Sequence, residues 1–428
     1  VNHVISMTID ELLQPFQYFG VHLGLERIKA LLADLGNPHR SVPIVHVAGT
    51  NGKGSICAYL SAVLAEAGYR VGRYTSPHLV DWTERICIND RSISEAELER
   101  VLVQVRDAIA FAPERETPTL FEVVTAAAWL HFAQTQVDIA IIEVGLGGRL
   151  DATNVCDRPL VTAISSLSLE HWQRLGPTLA DIAREKAGIL KPQRPAAIGP
   201  LPTEAAAVVR ERIEKLHCPA VWVQPSQRVG EGRARYAGID GPIEYPLPLL
   251  GEIQLTNSAV AIACVQQLQQ QGWQISTPTL QAGMARARWP GRLQWVCWQG
   301  RKLLIDGAHN PAAASALRQF VDTLSPPITW VMGMLSTKDH EKIFKTLLRS
   351  RDRLYLVPVP GRSTADPEAL ASLARHICPD LDDCESLPDL FAALNVALSD
   401  RHQIVLCGSL YLLGYFLGQT QAASSDRG

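Results

Sequence analysis

Short apolar runs alternate with amphipathic stretches along most of this chain, the pattern of strands and helices wound into parallel sheets. A short apolar run at 43–48 and strand candidates at 71–74 and 160–165 accompany a near-continuous apolar run at 138–144, which predicts a buried strand of a parallel sheet. Helical spacing predicts helices over 10–36, 56–67, 94–110 and 119–134. In the first, Leu12, Leu13, Phe16, Leu23, Leu25, Ile28, Leu31 and Leu32 supply the apolar positions, and Gly36-Asn37-Pro38 ends it. A helical pattern over 181–190 is followed by strand, helix and strand within 195–225. An irregular β excursion over 226–250, rich in Gly, Arg and Pro, leads to helices at 254–271 and 277–287. Trp289-Pro290-Gly291-Arg292 breaks the pattern and predicts a domain boundary. Beyond it, strands at 302–305, 329–332, 353–358 and 403–407 alternate with helices at 311–324, 339–349, 366–377 and 387–398. The reading is α/β. A large domain with a mostly parallel sheet spans 1–290, a smaller doubly wound, Rossmann-like domain spans 291–418, and a polar tail over 419–428 is expected to fray.

Composition narrows the partners. With 428 residues, 47% of them hydrophobic and 19% charged, the chain can bury more than one core. A net charge of −3 gives no reason to expect nucleic acid or an anionic membrane. No apolar run approaches the roughly 18 residues needed to span a bilayer. Residues 1–10 hold no basic segment followed by an apolar block, so no secretory signal is expected. The nine cysteines are odd in number, scattered and without a C-x-x-C pair, which predicts reduced thiols in a cytoplasmic protein and no structural zinc.

The chemistry centres on Gly49-Thr50-Asn51-Gly52-Lys53-Gly54-Ser55, between a predicted strand and a predicted helix. Glycines let backbone N–H groups turn toward an anion, a helix start adds its positive end, and Lys53 offers a point charge. Ser55 or Thr50 can offer a hydroxyl to a nucleotide's Mg²⁺. The match to G-x-x-x-x-G-K-[ST] is imperfect: Val47 stands at the first glycine position, and Gly54 follows the lysine. A plain glycine-rich turn is the alternative.

Ser76 stands at a strand end before Pro77. Glu143 lies near the carboxyl end of a buried strand, where ligands of open α/β sheets bind and where a carboxylate is costly unless paired. A polar, glycine-rich loop over 145–154 follows it. His171 lies in a loop after the next strand, Lys186 inside a helical pattern, and Asp306 and His309 at a strand end that opens a helix at Pro311. Turn, ion-pair, solvated-lysine and helix-capping roles compete with function at each.

Taken together, these motifs resemble the folylpolyglutamate synthase / dihydrofolate synthase family, a branch of the Mur-type amide ligases. The resemblance runs nearly end to end through L-G-L-E-R (23–27), G-N-P (36–38), H-V-A-G-T-N-G-K-G-S (46–55), Y-T-S-P-H-L (74–79), E-R-I (84–86), F-E (121–122), E-V-G-L-G-G-R-L-D-A-T-N (143–154), R-E-K-A-G-I (184–189), P-G-R (290–292), D-G-A-H-N-P (306–311) and G-S-L-Y-L-L-G (408–414). It implies that Asn51, Gly52, Lys53, Gly54 and Ser55 bind ATP phosphates, and that Asn257, Arg292, Asp306 and His309 reach the rest of the nucleotide, Asn257 at the adenine. It implies that Ser76, Glu143 and His171 hold Mg²⁺, and that Lys186 is carbamylated and helps bind a second Mg²⁺. Lys53, Glu143, His171 and Lys186 would then be the catalytic set. Thr119, Phe121, Glu122, Leu150, Asp151 and Ala152 would face a pterin. Three positions depart from the family pattern: Glu170 and Thr337 where Asp is usual, and Ile253 where His is usual.

The activity implied is ADP-forming ligation of L-glutamate to dihydropteroate, to reduced folates, or to both, by a monomer acting on small molecules. Closure of the second domain over ATP would keep water from an acyl phosphate. A K⁺ requirement is left open. Two alternatives compete: a Mur-type ligase for another carboxylate and amino acid, and a nucleotide-dependent switch that forms no bond.

Overall fold

The computed structural model describes residues 7–20, 22–399 and 401–425. It divides into two compact units, Val1–Pro248 with Leu255–Arg288, and Leu249–Gln254 with Trp289–Gly428.

The first unit is built on eight strands: β1 (Ile44–Ala48), β2 (Val71–Tyr74), β3 (Ile86–Ile88), β4 (Arg91–Ser92), β5 (Ile139–Glu143), β6 (Val161–Ile164), β7 (Ala196–Ile198) and β8 (Ala220–Trp222). Their order is β4-β3-β2-β5-β1-β6-β7-β8. All pairings are parallel except β2 with β3 and β3 with β4. Every residue of β1 and β5 is buried, as a parallel sheet covered on both faces requires. Register sets Val47 beside Glu143 and Ala48 beside Ile164. The chain crosses from β5 over β1 to β6, so the loops leaving these three strands open at one edge, at the switch in strand order where open α/β sheets take ligands.

Helices Glu95–Phe111 and Leu120–Gln134 pack with Glu26–Asp34 into one large core that includes Trp129 and Phe132. Burying an aromatic of that size is worth roughly 2–3 kcal/mol. Helix Lys53–Glu66 is apolar round its whole circumference and buried from Gly54 to Leu64. Helix Thr277–Arg286 lies against it, with Gly283 on Val63. The β excursion is a small antiparallel sheet of β9 (Gln227–Gly230), β10 (Arg233–Gly238) and β11 (Gly241–Pro246).

The second unit carries β12 (Gln294–Trp298), β13 (Arg301–Ile305), β14 (Ile328–Met332), β15 (Arg353–Leu356), β16 (Asp383–Ser386) and β17 (Gln403–Cys407). They order as β12-β13-β17-β14-β15-β16, parallel but for the β12–β13 hairpin. Trp330, Phe344, Leu347 and Leu356 lie in its core.

Two expectations need correction. The single helix over 10–36 is three pieces: an α-helix at Ile9–Leu13, a 3₁₀ stretch at Gln14–Phe19 begun near Pro15, and an α-helix at Glu26–Asp34. Gly20, at φ 60°, turns the chain out of the helical path. The polar tail expected to fray from Gln419 belongs to a helix, Leu410–Ser425, and residues 426–428 lie outside those described. Among the described residues no helix is long and apolar enough to cross a membrane.

Candidate active site

The loop after β1 is held in shape by the exit of β6. Thr50 N–H donates to the Ser166 carbonyl at 2.7 Å, and the hydroxyls of Ser165 and Ser166 donate to the Asn51 carbonyl at 2.6 and 3.1 Å. Ser168 N–H donates to Thr50 Oγ1 at 3.1 Å. Gly49 and Gly52 take φ values of 147° and 87°. A Cβ at Gly49 would overlap Ser165 Oγ, and one at Gly52 would overlap Asn257 Oδ1. Glycine is therefore needed twice, for the backbone angle and for the close approach. Helix Lys53–Glu66 starts at the loop's lysine, so the first-turn N–H groups of Lys53, Gly54 and Ser55 belong to the loop.

Two lysines meet at one carbonyl of this loop. Lys53 Nζ donates to Gly49 O at 3.1 Å and to Thr50 O at 3.2 Å, and Lys186 Nζ donates to Gly49 O at 2.8 Å. Lys186, only 6% exposed, ends helix Leu179–Lys186. Burial, reinforced by the charge on Lys53, pulls its ammonium down to about 7. Glu143 ends β5, is 5% exposed, and has Oε1 4.0 Å from Lys53 Nζ. Its Oε2 accepts the Ser76 N–H at 3.2 Å. Ser76, Glu143, Lys53 and Lys186 are thus brought together.

His171 sits on the β6 exit loop that braces Thr50 and Asn51. Its backbone is left-handed, φ 54°, an uncommon state for a residue with a side chain. Its imidazole is about half exposed, with Nε2 4.0 Å from Glu170 Oε1. Among the described residues, no three His, Cys, Asp or Glu side chains converge on a metal position. The donors present are a carboxylate, a hydroxyl and an imidazole. The carboxylate and the hydroxyl are hard oxygen donors of the kind that fit Mg²⁺, which keeps waters and takes phosphate oxygens as its other ligands, whereas the imidazole is a softer one.

A second group lies beside the first. Thr119 and Glu122 form a capping box at the start of helix Leu120–Gln134. Glu122 Oε2 accepts the Thr119 N–H at 2.7 Å and Arg27 Nε at 3.1 Å. Phe121 lies on Gly145, where a Cβ would strike its ring. The helix start therefore meets loop 145–154, which carries Leu150, Asp151 and Ala152. Asp151 is 2% exposed. Its carboxylate accepts Leu146 N–H at 2.7 Å, Thr153 N–H at 3.0 Å and the Thr153 hydroxyl at 2.6 Å. Desolvation pushes its pKa up against those bonds. The loop is also tied to the Lys186 segment, through Arg149 N–H to Glu185 O at 2.7 Å and Asn154 Nδ2 to Gly188 O at 3.2 Å.

Asn257, expected at the adenine, is placed against the phosphate loop at Gly52. In the second unit, Asp306 accepts Leu293 N–H at 2.9 Å and Ala308 N–H at 2.8 Å. Its carboxylate, pushed up by burial, braces its own turn. His309 Nδ1 lies 2.7 Å from Gly307 O, and Arg292 Nη1 lies close over Gly307. Asn310 caps helix Pro311–Val321 through Ala313 N–H at 2.8 Å.

Sequence reasoning missed the serines at 165, 166 and 168, Thr153 and His46. A run of serines at a strand's carboxyl end was the signal for the first three, while Thr153 and His46 stand inside the motifs at 143–154 and 46–55 with no role given to them. Thr119-x-x-Glu122 also fits the capping-box pattern.

Residues 47–265 match the family model described as Mur ligase middle domain, and residues 296–419 match that described as dihydrofolate synthetase, C-terminal domain. The chain is 37% identical to the folylpolyglutamate synthase of Lacticaseibacillus casei over 401 residues, 90% of this chain and 92% of that one. It is 34% identical to the dihydrofolate synthetase of Saccharomyces cerevisiae over 426 residues, 93% and 97% of the two. The structure of E. coli FolC in complex with DHPP and ADP superposes with a TM-score of 0.84 at 30% identity, covering 96% of each chain.

Proposed function

Because the chain belongs to the folylpolyglutamate synthase / dihydrofolate synthase family of ATP-dependent, ADP-forming glutamate ligases, we propose that it joins L-glutamate to dihydropteroate and also to reduced folates. The observation that carries this reading is the meeting of the phosphate loop, Glu143 and Lys186 at the carboxyl edge of β1 and β5, next to loop 145–154.

A carboxylate resists attack by an amine because oxide would have to leave. The substrate carboxylate oxygen instead attacks the γ-phosphorus of ATP, and ADP leaves. The glutamate amine then attacks the acyl carbon of the acyl phosphate, inorganic phosphate leaves, and the amine gives up a proton. The barrier in the first step is repulsion between a carboxylate and a polyanion, which is lowered by fixed positive groups. Asn51, Gly52, Gly54 and Ser55 hold phosphate oxygens through the loop, and Lys53 draws the outer phosphates into line. Ser76, Glu143 and His171 are the residues that would hold Mg²⁺, with a carbamate on Lys186 for a second ion. Bound there, Mg²⁺ supplies charge neutralisation and in-line alignment. Phe121, Leu150 and Ala152 receive the pterin, and Thr119, Glu122 and Asp151 keep those elements in place. Asn257, and Arg292, Asp306 and His309 of the second unit, are assigned to the nucleotide on the resemblance.

A carbamate forms on a neutral amine, and Lys186, drawn down to about 7, supplies one above that pH. Carbamylation should therefore fall as pH drops through about 7. Lys186→Ala is expected to lose most turnover and to recover part of it in millimolar acetate or propionate, while acetate leaves the wild type unchanged. Absence of rescue across short carboxylic acids would remove the carbamate from the reading.

The deciding assay is ADP release with ATP, Mg²⁺ and L-glutamate, with dihydropteroate in one reaction and tetrahydrofolate in the other. Release in both, dependent on glutamate, is the expected result. Release with one acceptor alone restricts the activity to that acceptor. ADP release that ignores glutamate and both acceptors would overturn the ligase reading.

A further inference from the structure

A buried hydrogen-bonded chain runs from the central strand to the loop that the reading above gives to the pterin. His46, in the middle of β1, is 1% exposed, and its Nε2 lies 2.9 Å from Thr153 Oγ1. Thr153 is fully buried and donates its hydroxyl to Asp151 Oδ1 at 2.6 Å. Its single hydroxyl proton is thereby committed, so what passes between His46 and Thr153 is the imidazole N–H, donated to the hydroxyl oxygen. The direction of every bond is fixed: His46 Nε2–H to Thr153 Oγ1–H to the Asp151 carboxylate. Burial keeps that imidazole neutral, pulling its pKa down to about 3, so the donor is the same at any ordinary pH.

The carboxylate at the end of the chain closes the loop. Asp151 takes Leu146 N–H on Oδ2 and Thr153 N–H on Oδ1, gripping the loop near both ends. Leu150 and Ala152, the flanking residues, are therefore set by the direction of the Asp151 carboxylate. Thr153 and His46 set that direction from beneath. Three residues beyond His46, at Gly49, the chain leaves β1 and becomes the phosphate loop. One strand thus anchors both halves of the site, the phosphate loop through its backbone and the acceptor loop through His46.

We propose that His46 and Thr153 are positioning residues for the pterin subsite, holding loop 145–154 in register through Asp151 without touching substrate. The proposal rests on the assignment of that loop to the pterin.

Thr153→Val keeps the shape and removes the hydroxyl. It is expected to raise KM for dihydropteroate tenfold or more while KM for ATP stays within twofold, and Thr153→Ser is expected to stay near wild type. His46→Leu should reproduce the split, and His46→Gln, which retains an N–H donor, should restore part of it. A residue that merely stabilised the fold would move both KM values, or kcat alone, and lower the melting temperature. That pattern, or an unchanged KM for dihydropteroate in Thr153→Val, overturns the proposal. Failure of both Thr153→Val and His46→Leu to fold would also count against it, since it assigns them a role in substrate affinity. A wild type that turns over neither dihydropteroate nor tetrahydrofolate would sink the pterin assignment itself, an outcome distinct from a wild type that works and a Thr153→Val variant that matches it.

Discussion

Lys53→Ala should cut ATP-dependent ligation by about 10²–10³-fold or more, the loss typical of removing one preorganised donor from a site where charge develops. The fold should survive it. Lys53 Nζ serves the carbonyls of Gly49 and Thr50, and Gly49 O keeps a second donor in Lys186 Nζ. The loop's shape comes from the Ser165 and Ser166 hydroxyls and from Thr50 N–H, none of which the substitution touches. Single-turnover ADP formation, set beside a thermal melt, is the measurement. Glu143→Ala should behave alike, because it takes away the carboxylate facing that lysine. Turnover within tenfold of wild type in either variant would take that residue out of the mechanism.

A large loss of stability is expected from Gly283→Ala. Helix Thr277–Arg286 meets helix Lys53–Glu66 at this glycine. A new Cβ would run into Val63 Cα, with Val63 N at 2.9 Å and Ala62 O at 3.0 Å. These are backbone atoms of a buried helix and cannot swing aside. Alanine would gain about 1 kcal/mol of helix propensity over glycine. Overpacking against backbone costs about 1–3 kcal/mol and occasionally more, and here it wins because the two helices must move apart. The melting temperature should fall by several degrees. ATP-dependent activity should fall with it, since the displaced helix begins at Lys53. A melting temperature at or above wild type would show that the interface yields.

Much of this could be read from the chain before any coordinates. A strand buried on both faces announces itself as an apolar run, as β5 does, and β2 and β17 fall within the expected bounds although Arg73 and Gln403 interrupt the apolar pattern. Edge strands carry a weaker signal. Three of the four residues of β16, Asp-Cys-Glu-Ser, are polar, and no residue of β12, Gln-Trp-Val-Cys-Trp, is fully buried, so neither stands out as a strand. The β3–β4 hairpin turns on Asn89 and Asp90, both at positive φ, a turn signal the apolar pattern hides. The helix over 10–36 failed because periodicity continues across Pro15 and Gly20 while the backbone does not. In the site, motifs pointed to the two lysines and Glu143, which the fold brings together, and to loop 145–154 beside them. They could not show that Thr119 and Glu122 cap the start of their own helix, or that Asp151 grips the Leu146 and Thr153 N–H groups of its own loop. That depends on which N–H groups folding leaves nearby, and spacing alone does not carry it.

Helix Lys53–Glu66 also constrains the order in which this protein can be made. It is apolar on every side, and part of its cover, helix Thr277–Arg286, is encoded from residue 277 onward. At the ~5–20 residues per second of ribosomal synthesis, the interval between Val63 and Gly283 is roughly ten to forty seconds. For that time the nascent phosphate-loop helix has no Gly283 to close over it. The first unit is in this sense completed by its last segment, and a gene truncated anywhere before residue 277 would leave an apolar helix in search of a partner.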